Sequence, residues 1–210
     1  MANLSVNFLG TDFENPTVLA SGVLGVTAAT WKSVVKSGAG GITTKSIWLN
    51  EHIGHPNPTI ITTEHWMMNA VGLPDAGLEK AKEEIEDYIK EKPAPLIVSI
   101  VAGKVDEFAQ IAEEISKLPI DIIEVNISCP NVEDKYGMPF ACVSADAKKV
   151  TEGVKKVAGE KTVVAIAINV LLLATRVALV SVAHNDFADK RFHQPILRHE
   201  TGCQRVNELR

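Results

Sequence analysis

Short runs rich in β-branched residues alternate with amphipathic segments along most of this chain, and this alternation limits the folds available to it. Apolar residues at helical spacing predict helices over 28–37, 76–90, 105–118 and 144–157. Apolar runs between them predict strands over 17–20, 42–47, 96–101, 120–125 and 162–168, and a short hairpin is expected over 4–13. Strands and helices in regular alternation predict a parallel sheet of the α/β class.

Polar and small residues follow several of the predicted strands where each one ends. They are Ala20-Ser21-Gly22, Thr44-Lys45-Ser46, Ser99, and Asn126 with Ser128 and Cys129. A site built from the carboxyl ends of several strands is typical of TIM barrels, whereas no G-x-G-x-x-G motif follows the first strand to indicate a Rossmann site. A complete barrel has eight strands in about 250 residues. With 210 residues and five recognisable strands, this chain is predicted to form an incomplete TIM (β/α)8 barrel.

The composition is that of an ordinary soluble protein with one substantial core. Hydrophobic residues make up 46% of the chain and charged residues 22%, and the net charge of -5 gives no reason to expect a nucleic acid or an anionic membrane as partner. The three cysteines, Cys129, Cys142 and Cys203, have no CxxC spacing, and their odd number argues against a disulfide framework. With no secretory signal visible at the N-terminus, we expect a cytoplasmic protein.

The segment 163–182 is almost continuously apolar, so a membrane span has to be weighed against buried structure. Arg176 would cost roughly 2.5 to 3.5 kcal/mol near the centre of a membrane helix. We therefore predict a buried strand followed by an apolar helix, and no membrane association.

Four segments, taken in order, resemble the dihydroorotate dehydrogenase family. They read NPTVLASG at 15–22, GITTKS at 41–46, NAVGLP at 69–74 and VNISCPN at 125–131. The similarity covers roughly residues 3 to 165, and the cysteine at 129 is similar to that of the soluble class 1 enzymes, most of all the class 1B catalytic subunit. The resemblance implies oxidation of dihydroorotate to orotate with FMN, in de novo pyrimidine (UMP) biosynthesis. It also implies a partner subunit that carries FAD and an iron–sulfur cluster and passes electrons to NAD.

The resemblance assigns a catalytic base and a set of substrate contacts. Cys129 would be the base, and a buried, inert cysteine is the alternative. Asn69, Asn126 and Asn131 match the substrate-binding asparagines of the family, and an amide suits a ring of alternating carbonyl and N–H groups because it offers both a donor and an acceptor. Turn formation is the competing explanation for them. Backbone N–H groups of Gly72 and Leu73 would bind the substrate carboxylate, although a tight turn also explains a glycine.

A second set of residues corresponds to the flavin contacts of the family. Lys45 would place a positive charge beside both the FMN ring and the substrate, against the alternative of a solvated lysine at a strand end. The small residues Ala20, Ser21 and Gly22 would lie under the flavin, with Ser46 and Asn126 as neighbouring contacts. Tight packing alone can also account for small residues.

No metal site is predicted. His52, His55 and His65 lie close to Glu51 and Glu64 in the sequence, but they lack a recognised ligand spacing.

The family pattern ends near residue 165. The next family strand supplies a flavin-contacting lysine, whereas 163–170 reads VVAIAINV, and nothing later resembles a phosphate-binding loop. We therefore divide the chain into a barrel-like part, 1–165, and an atypical segment, 166–210. The edges of an incomplete barrel would be unpaired, which favours a homo- or hetero-oligomer. The alternatives are a flavoenzyme similar to dihydropyrimidine dehydrogenase, acting on uracil or thymine, and a catalytically silent scaffold that binds a partner chain.

Overall fold

A mixed set of strands and helices makes up the computed structural model. It describes residues 2–65, 67–128 and 139–158, apart from the side chain of Val23, and the backbone of two further strands, 163–168 and 179–182. The strands are β1 (Val6–Phe8), β2 (Thr11–Phe13), β3 (Val18–Leu19), β4 (Gly41–Thr43), β5 (Ile60–Thr62), β6 (Met67–Asn69), β7 (Leu96–Ile100), β8 (Ile122–Asn126), β9 (Val163–Ile168) and β10 (Leu179–Val182). The α-helices are α1 (Ala28–Lys36), α2 (Leu78–Ile89), α3 (Val105–Ile115) and α4 (Ser144–Ala158).

The central sheet contains the five predicted parallel strands in the order of the chain. β3, β4, β7, β8 and β9 are neighbours in that order, and each pairs in parallel with the next. The strand order does not reverse, as it would at the switch point of a doubly wound sheet. Five successive parallel strands with helices between them form the wall of a barrel, and the predicted fold class is confirmed.

The two faces of this sheet are covered by different elements. Ile42, Val98 and Val125 point to one face, which we call the outer face, and share a buried cluster with residues of all four helices. The alternate residues Ile97 and Ile122 point to the other, inner face and pack against Phe13 of the β1–β2 hairpin, together with the partly buried Phe8 and Leu9. Helices on one face and a hairpin against one end of the other are the arrangement expected of a barrel segment.

Local sequence signals explain where the first helices lie. The hydroxyl of Thr27 accepts a hydrogen bond from the backbone N–H of Thr30 at 3.3 Å, which caps α1. The carboxylate of Glu84, on α2, accepts a second N–H at the same helix end, from Ala28 at 2.8 Å. The two helices also share an edge-to-face contact between Trp31 and Tyr88, with ring centroids 5.6 Å apart. These contacts fix α1 against α2 on the outer face.

The structure corrects the last part of the apolar helix predicted after β9, and the rest of that prediction, over 169–178, lies outside the described residues. Residues 179–182 form β10, which pairs with β9 in antiparallel orientation. Valine is stiff at its first side-chain torsion and favours strands, and Val180 and Val182 both lie in this run. The expectation that the far edge of β9 is unpaired is therefore wrong as well. No helix in the part of the chain that the structure describes is long and apolar enough to cross a membrane.

A second antiparallel hairpin, β5 with β6, was not predicted. It lies between β4 and α2, and Ile60, Ile61, Met67 and Met68 are all exposed. No side chain of these two short strands is buried, so the sequence has no apolar and polar alternation from which to predict them.

Candidate active site

Three polar side chains meet on the inner face at the carboxyl ends of β4, β7 and β8. The Ser46 and Ser99 hydroxyl oxygens are 2.9 Å apart, and the amide Nδ2 of Asn126 donates to the Ser46 hydroxyl at 3.1 Å. Both serines are buried. Buried polar groups are retained in proteins when they are hydrogen-bonded, as these are, and in an α/β barrel this end of the strands is where sites are built.

An extra residue in the chain after β4 directs Ser46 toward this cluster. Thr43 pairs with Ile97, whereas Ile47 bridges to Ile100. Four residue steps from β4 onward therefore lie opposite three along β7, which leaves one extra residue after β4. Such a bulge re-aims the side chains beside it. The hydroxyl of Thr44 accepts a hydrogen bond from the backbone N–H of Ser99 at 3.0 Å, which replaces a backbone hydrogen bond between the two strands at the bulge.

The orientation of the Asn126 amide is set from both sides. While Nδ2 faces Ser46, Oδ1 accepts hydrogen bonds from Ser128, from its backbone N–H at 3.4 Å and from its hydroxyl at 3.3 Å. The next residue is Cys129, the predicted base. Cys129 and the predicted substrate contact Asn131 lie outside the described residues, so their roles stay predictions.

The predicted flavin contacts reach the same cluster. The Ser21 and Ser46 hydroxyl oxygens are 3.4 Å apart, which brings the end of β3 to the end of β4. The backbone N–H of Lys45 donates to the carbonyl of Gly25 at 2.7 Å. The Lys45 side chain is partly buried and makes no ion pair with any described residue.

A cleft of about 560 Å³ is lined in part by Lys45. Its lining includes Trp31, Lys45, His52 and Asp75, but neither Ser46 nor Asn126. The cleft is therefore separate from the polar cluster on the inner face.

The loop that carries Gly72 and Leu73 is held against residues 48–55. The indole N–H of Trp48 donates to the carbonyl of Leu73 at 3.0 Å, and the N–H of His55 donates to the carbonyl of Val71 at 3.1 Å. Gly72 has a φ of 77°, and a Cβ there would lie 2.6 Å from the ring of His55. Both the backbone conformation and the close approach require glycine at this position.

The structure thus joins some of the predicted site residues and leaves others apart. Hydrogen bonds link Ser21, Ser46 and Asn126, and Lys45 and Gly22 are their sequence neighbours. Asn69 is exposed at the end of β6, and no hydrogen bond links it, Gly72 or Leu73 to the cluster within the described part of the chain. Ala20 is exposed beside Ser21.

Glu124 belongs to the cluster and was not predicted as a site residue. It pairs with Ser99 in the register of β7 and β8, so the two side chains lie on the same face of the sheet. Burial raises the pKa of Glu124, and its interaction with Ser99 opposes that rise. The sequence could have indicated Glu124, because side chains alternate between the two faces along a strand. If Asn126 faces the site, Glu124, two residues earlier, faces it as well.

Cys142 takes part in a disulfide bond. The odd number of cysteines argued against a disulfide framework, and it leaves room for this one bond.

Comparison with known proteins agrees with this geometry. A family model described as dihydroorotate dehydrogenase matches residues 3–190. The dihydroorotate dehydrogenase B (NAD(+)) catalytic subunit of Methanocaldococcus jannaschii is 40% identical over 156 residues, which are 73% of this chain and 50% of that protein. The subunit of the same name from Thermococcus kodakarensis is 39% identical over 165 residues, 79% of this chain and 53% of that protein. The chain spans about half the length of these curated relatives.

A solved structure supports the fold. Dihydroorotate dehydrogenase from Eimeria tenella, in complex with ferulenol, matches with a TM-score of 0.63 at 21% identity, over 73% of this chain and 43% of that one. The match to the family model extends across β1 to β10 and includes all the elements that build the polar cluster. Sequence, strand order and inner-face chemistry agree, and the chain belongs to the dihydroorotate dehydrogenase family.

Proposed function

We propose that this chain oxidises dihydroorotate to orotate with FMN, as a catalytic subunit that passes its electrons to NAD through a partner subunit. The polar cluster of Ser46, Ser99 and Asn126 is the observation that carries the proposal, since it joins two of the segments that resemble the family. The relatives named B (NAD(+)) catalytic subunits, at about 40% identity, support NAD as acceptor and a second subunit as partner. In such a complex FAD and an iron–sulfur cluster would belong to the partner.

The donors around the cluster fit a flavin. FMN, when bound, would accept a hydride from the substrate. The hydroxyls of Ser21 and Ser46 and the amide of Asn126 would bind the polar edge of its ring, and Lys45 would supply a positive charge beside it. A Cβ built on Gly22 has no heavy atom within 4 Å, so the turn after β3 leaves open space beside these donors. A flat ring can approach there without a clash with that turn.

The substrate contacts come from two sides of the site. Asn126, with Asn69 and Asn131, would exchange hydrogen bonds with the carbonyl and N–H groups of the dihydroorotate ring. The backbone N–H groups of Gly72 and Leu73 would bind its carboxylate. Oxidation removes a proton from one ring carbon and a hydride from its neighbour. Cys129 takes the proton at Sγ, which requires the thiolate, so its reactivity depends on the pH relative to an ordinary thiol pKa of about 8.5.

Anaerobic reduction of the flavin tests the proposal. The purified chain is mixed with FMN, freed of unbound flavin and treated with dihydroorotate while its visible absorption is recorded. We expect retained flavin that is bleached by dihydroorotate. Replacement of the base, Cys129→Ala, should leave the flavin bound and slow the bleaching by about a hundredfold or more. Glu79→Gln is the control, since the side chain of Glu79 is 82% exposed on α2, and this variant should bleach like the unchanged chain.

Other outcomes favour the alternatives. If reduced flavin in the chain is reoxidised by uracil or thymine while dihydroorotate has no effect, the chain belongs to the pyrimidine-reducing type. The second candidate is a catalytically silent scaffold that binds a partner chain. A folded chain that retains no FMN would contradict the proposed oxidation and support this scaffold.

Three expectations stay predictions: a cytoplasmic location, an oligomeric state and the division of the chain at residue 165, which falls inside β9.

A further inference from the structure

Two successive backbone N–H groups, those of Gly72 and Leu73, donate no hydrogen bond within the described part of the chain. Gly72 is buried. A buried backbone N–H is almost always paired in a protein, so an unpaired one indicates a place where an acceptor binds. The reaction as proposed above uses these two groups for the substrate carboxylate but assigns no residue that holds them in place.

The direction of the Gly72 N–H follows from the peptide unit that contains it. The carbonyl of Val71 belongs to the same unit and accepts the N–H of His55 at 3.1 Å. This peptide is trans, and in a trans peptide the C=O and the N–H point in opposite directions. The N–H of Gly72 therefore points away from His55.

Leu73 has a backbone conformation that needs support from its surroundings. Its φ is 50°, in the left-handed region that residues other than glycine seldom adopt, and it precedes Pro74, which disposes the residue before it to an extended conformation. Such a conformation persists where neighbouring contacts hold it. Here the indole N–H of Trp48 donates to the carbonyl of Leu73 itself at 3.0 Å.

Trp48 is itself fixed on two sides. Its ring is buried and stacks on that of His52, with centroids 4.5 Å apart and an angle of 9° between the planes. Its backbone N–H donates to the carboxylate of Asp75 at 3.1 Å. Asp75 and His52 in turn exchange two backbone hydrogen bonds of 2.8 Å each. The indole therefore reaches Leu73 from a rigid support.

We propose that Trp48 is a positioning residue, whose indole N–H holds the turn at Gly72 and Leu73 so that both backbone N–H groups bind one carboxylate. A carboxylate has two acceptor oxygens, enough for both donors. The indole also engages the carbonyl of Leu73, whose negative end would otherwise be free to turn toward a bound anion. That the carboxylate belongs to dihydroorotate rests on the proposed function, whereas the contacts that hold the turn do not.

Trp48→Phe tests the proposal because it keeps an aromatic ring beside His52 and removes the indole N–H. In the FMN-loaded chain, orotate binding is followed by the change in flavin absorption. Loss of one hydrogen bond should weaken orotate binding, and raise KM for dihydroorotate, by about three- to tenfold. The value of kcat should change by less than about twofold, and FMN affinity should be unaltered. Orotate methyl ester, which lacks the negative charge, should lose less affinity.

Trp31→Phe is the matched control. The indole nitrogen of Trp31 is buried and has no hydrogen-bond partner among the described residues, so the same substitution removes an N–H there without removing a hydrogen bond. Orotate affinity should be unchanged in this variant. Equal losses in the two variants would show a general loosening of the fold and would overturn the proposal.

Nuclear magnetic resonance separates this proposal from the proposed function, because it needs no flavin. The cofactor-free chain is labelled with ¹⁵N-leucine, and the amide signal of Leu73 is assigned by its loss in Leu73→Ile. Orotate should shift this signal, and Trp48→Phe should need about three- to tenfold more orotate for half of the shift.

If no protein retains FMN, the oxidation fails and this titration alone decides the role of Trp48. Should Trp48→Phe not fold, hydrogen exchange in the unchanged chain decides in its place, and orotate should slow the exchange of the Trp48 indole N–H. A Leu73 signal that orotate does not move, equal orotate affinity in the folded Trp48→Phe variant, or indole exchange that orotate does not slow would overturn the proposal.

Discussion

Gly25 is the position where one added methyl group should separate the two loops that form the site. It ends the 3₁₀ turn Val23–Gly25, and its carbonyl accepts the N–H of Lys45 at 2.7 Å. A Cβ at Gly25 would lie 2.5 Å from the nitrogen of Lys45, 2.8 Å from the carbonyl carbon of Thr44 and 2.9 Å from the oxygen of Thr43. All three are backbone atoms, so no side-chain rotation relieves the clash.

The expected cost of Gly25→Ala follows from these contacts. Overpacking costs about 1 to 3 kcal/mol, and loss of the hydrogen bond to Lys45 adds about 1 kcal/mol. The lower entropy of the unfolded chain offsets about 0.4 to 1 kcal/mol. A net loss of about 2 kcal/mol would lower the midpoint of urea unfolding by roughly 1 M. Lys45 would also shift, so FMN affinity should fall with stability.

Gly153→Ala is the matched control because it makes the same substitution without the clash. Gly153 lies inside α4, and a Cβ there would meet only Val105, at 3.7 Å. Alanine in a helix interior is more stable than glycine by about 0.5 to 1 kcal/mol, so this variant should unfold at higher urea. A Gly25→Ala protein as stable as the unchanged chain, with unaltered FMN affinity, would refute the packing argument.

Two further predictions concern the pH dependence of stability. Burial raises the pKa of Tyr88 from 10.0 to about 12, so the free energy of unfolding should fall as pH rises from about 10 toward 12. Tyr88→Phe removes the hydrogen bond to the carbonyl of Ala94 and should cost about 1 kcal/mol at neutral pH. The same variant should not show the fall in stability above about pH 10. For Glu124, burial raises the pKa above its ordinary value of 4.5, so the folded state binds the proton more tightly and stability should fall as pH rises from 4.5 through the folded-state pKa. Urea unfolding at a series of pH values should show this second fall in the unchanged chain and not in Glu124→Gln.

Hydrophobic periodicity was sufficient to predict the scaffold. The predicted helix 28–37 is observed as Ala28–Lys36 and the predicted strand 96–101 as Leu96–Ile100. These elements each bury one face or both, so their sequences repeat with the period of the structure. β10 was mispredicted because a continuous apolar run has no period that distinguishes a strand from a buried helix.

The site was predicted less completely because its contacts join distant parts of the chain. Ser46 and Asn126 were assigned through the family resemblance, but their hydrogen bond spans 80 residues and depends on the strand order. Ser99 and Glu124 lie between them and belong to no quoted motif. The bulge after β4 that aims Ser46 inward also has no signature in the sequence, because no glycine or proline occurs at 43–47 to mark it.

The two faces of β7 and β8 give a physical reason to place the site on the inner one. On the outer face these strands carry Val98, Ile100 and Val125, which stabilise the fold by burial. On the inner face the same strands carry Ser99 and Glu124, whose desolvation is unfavourable, and burial raises the pKa of Glu124. Apolar residues there would make a more stable barrel, as they do lower on the same face at Ile97 and Ile122. A polar layer confined to the carboxyl end is therefore better explained by the chemistry it supports than by folding, and disruption of its hydrogen bonds should impair ligand binding more than stability.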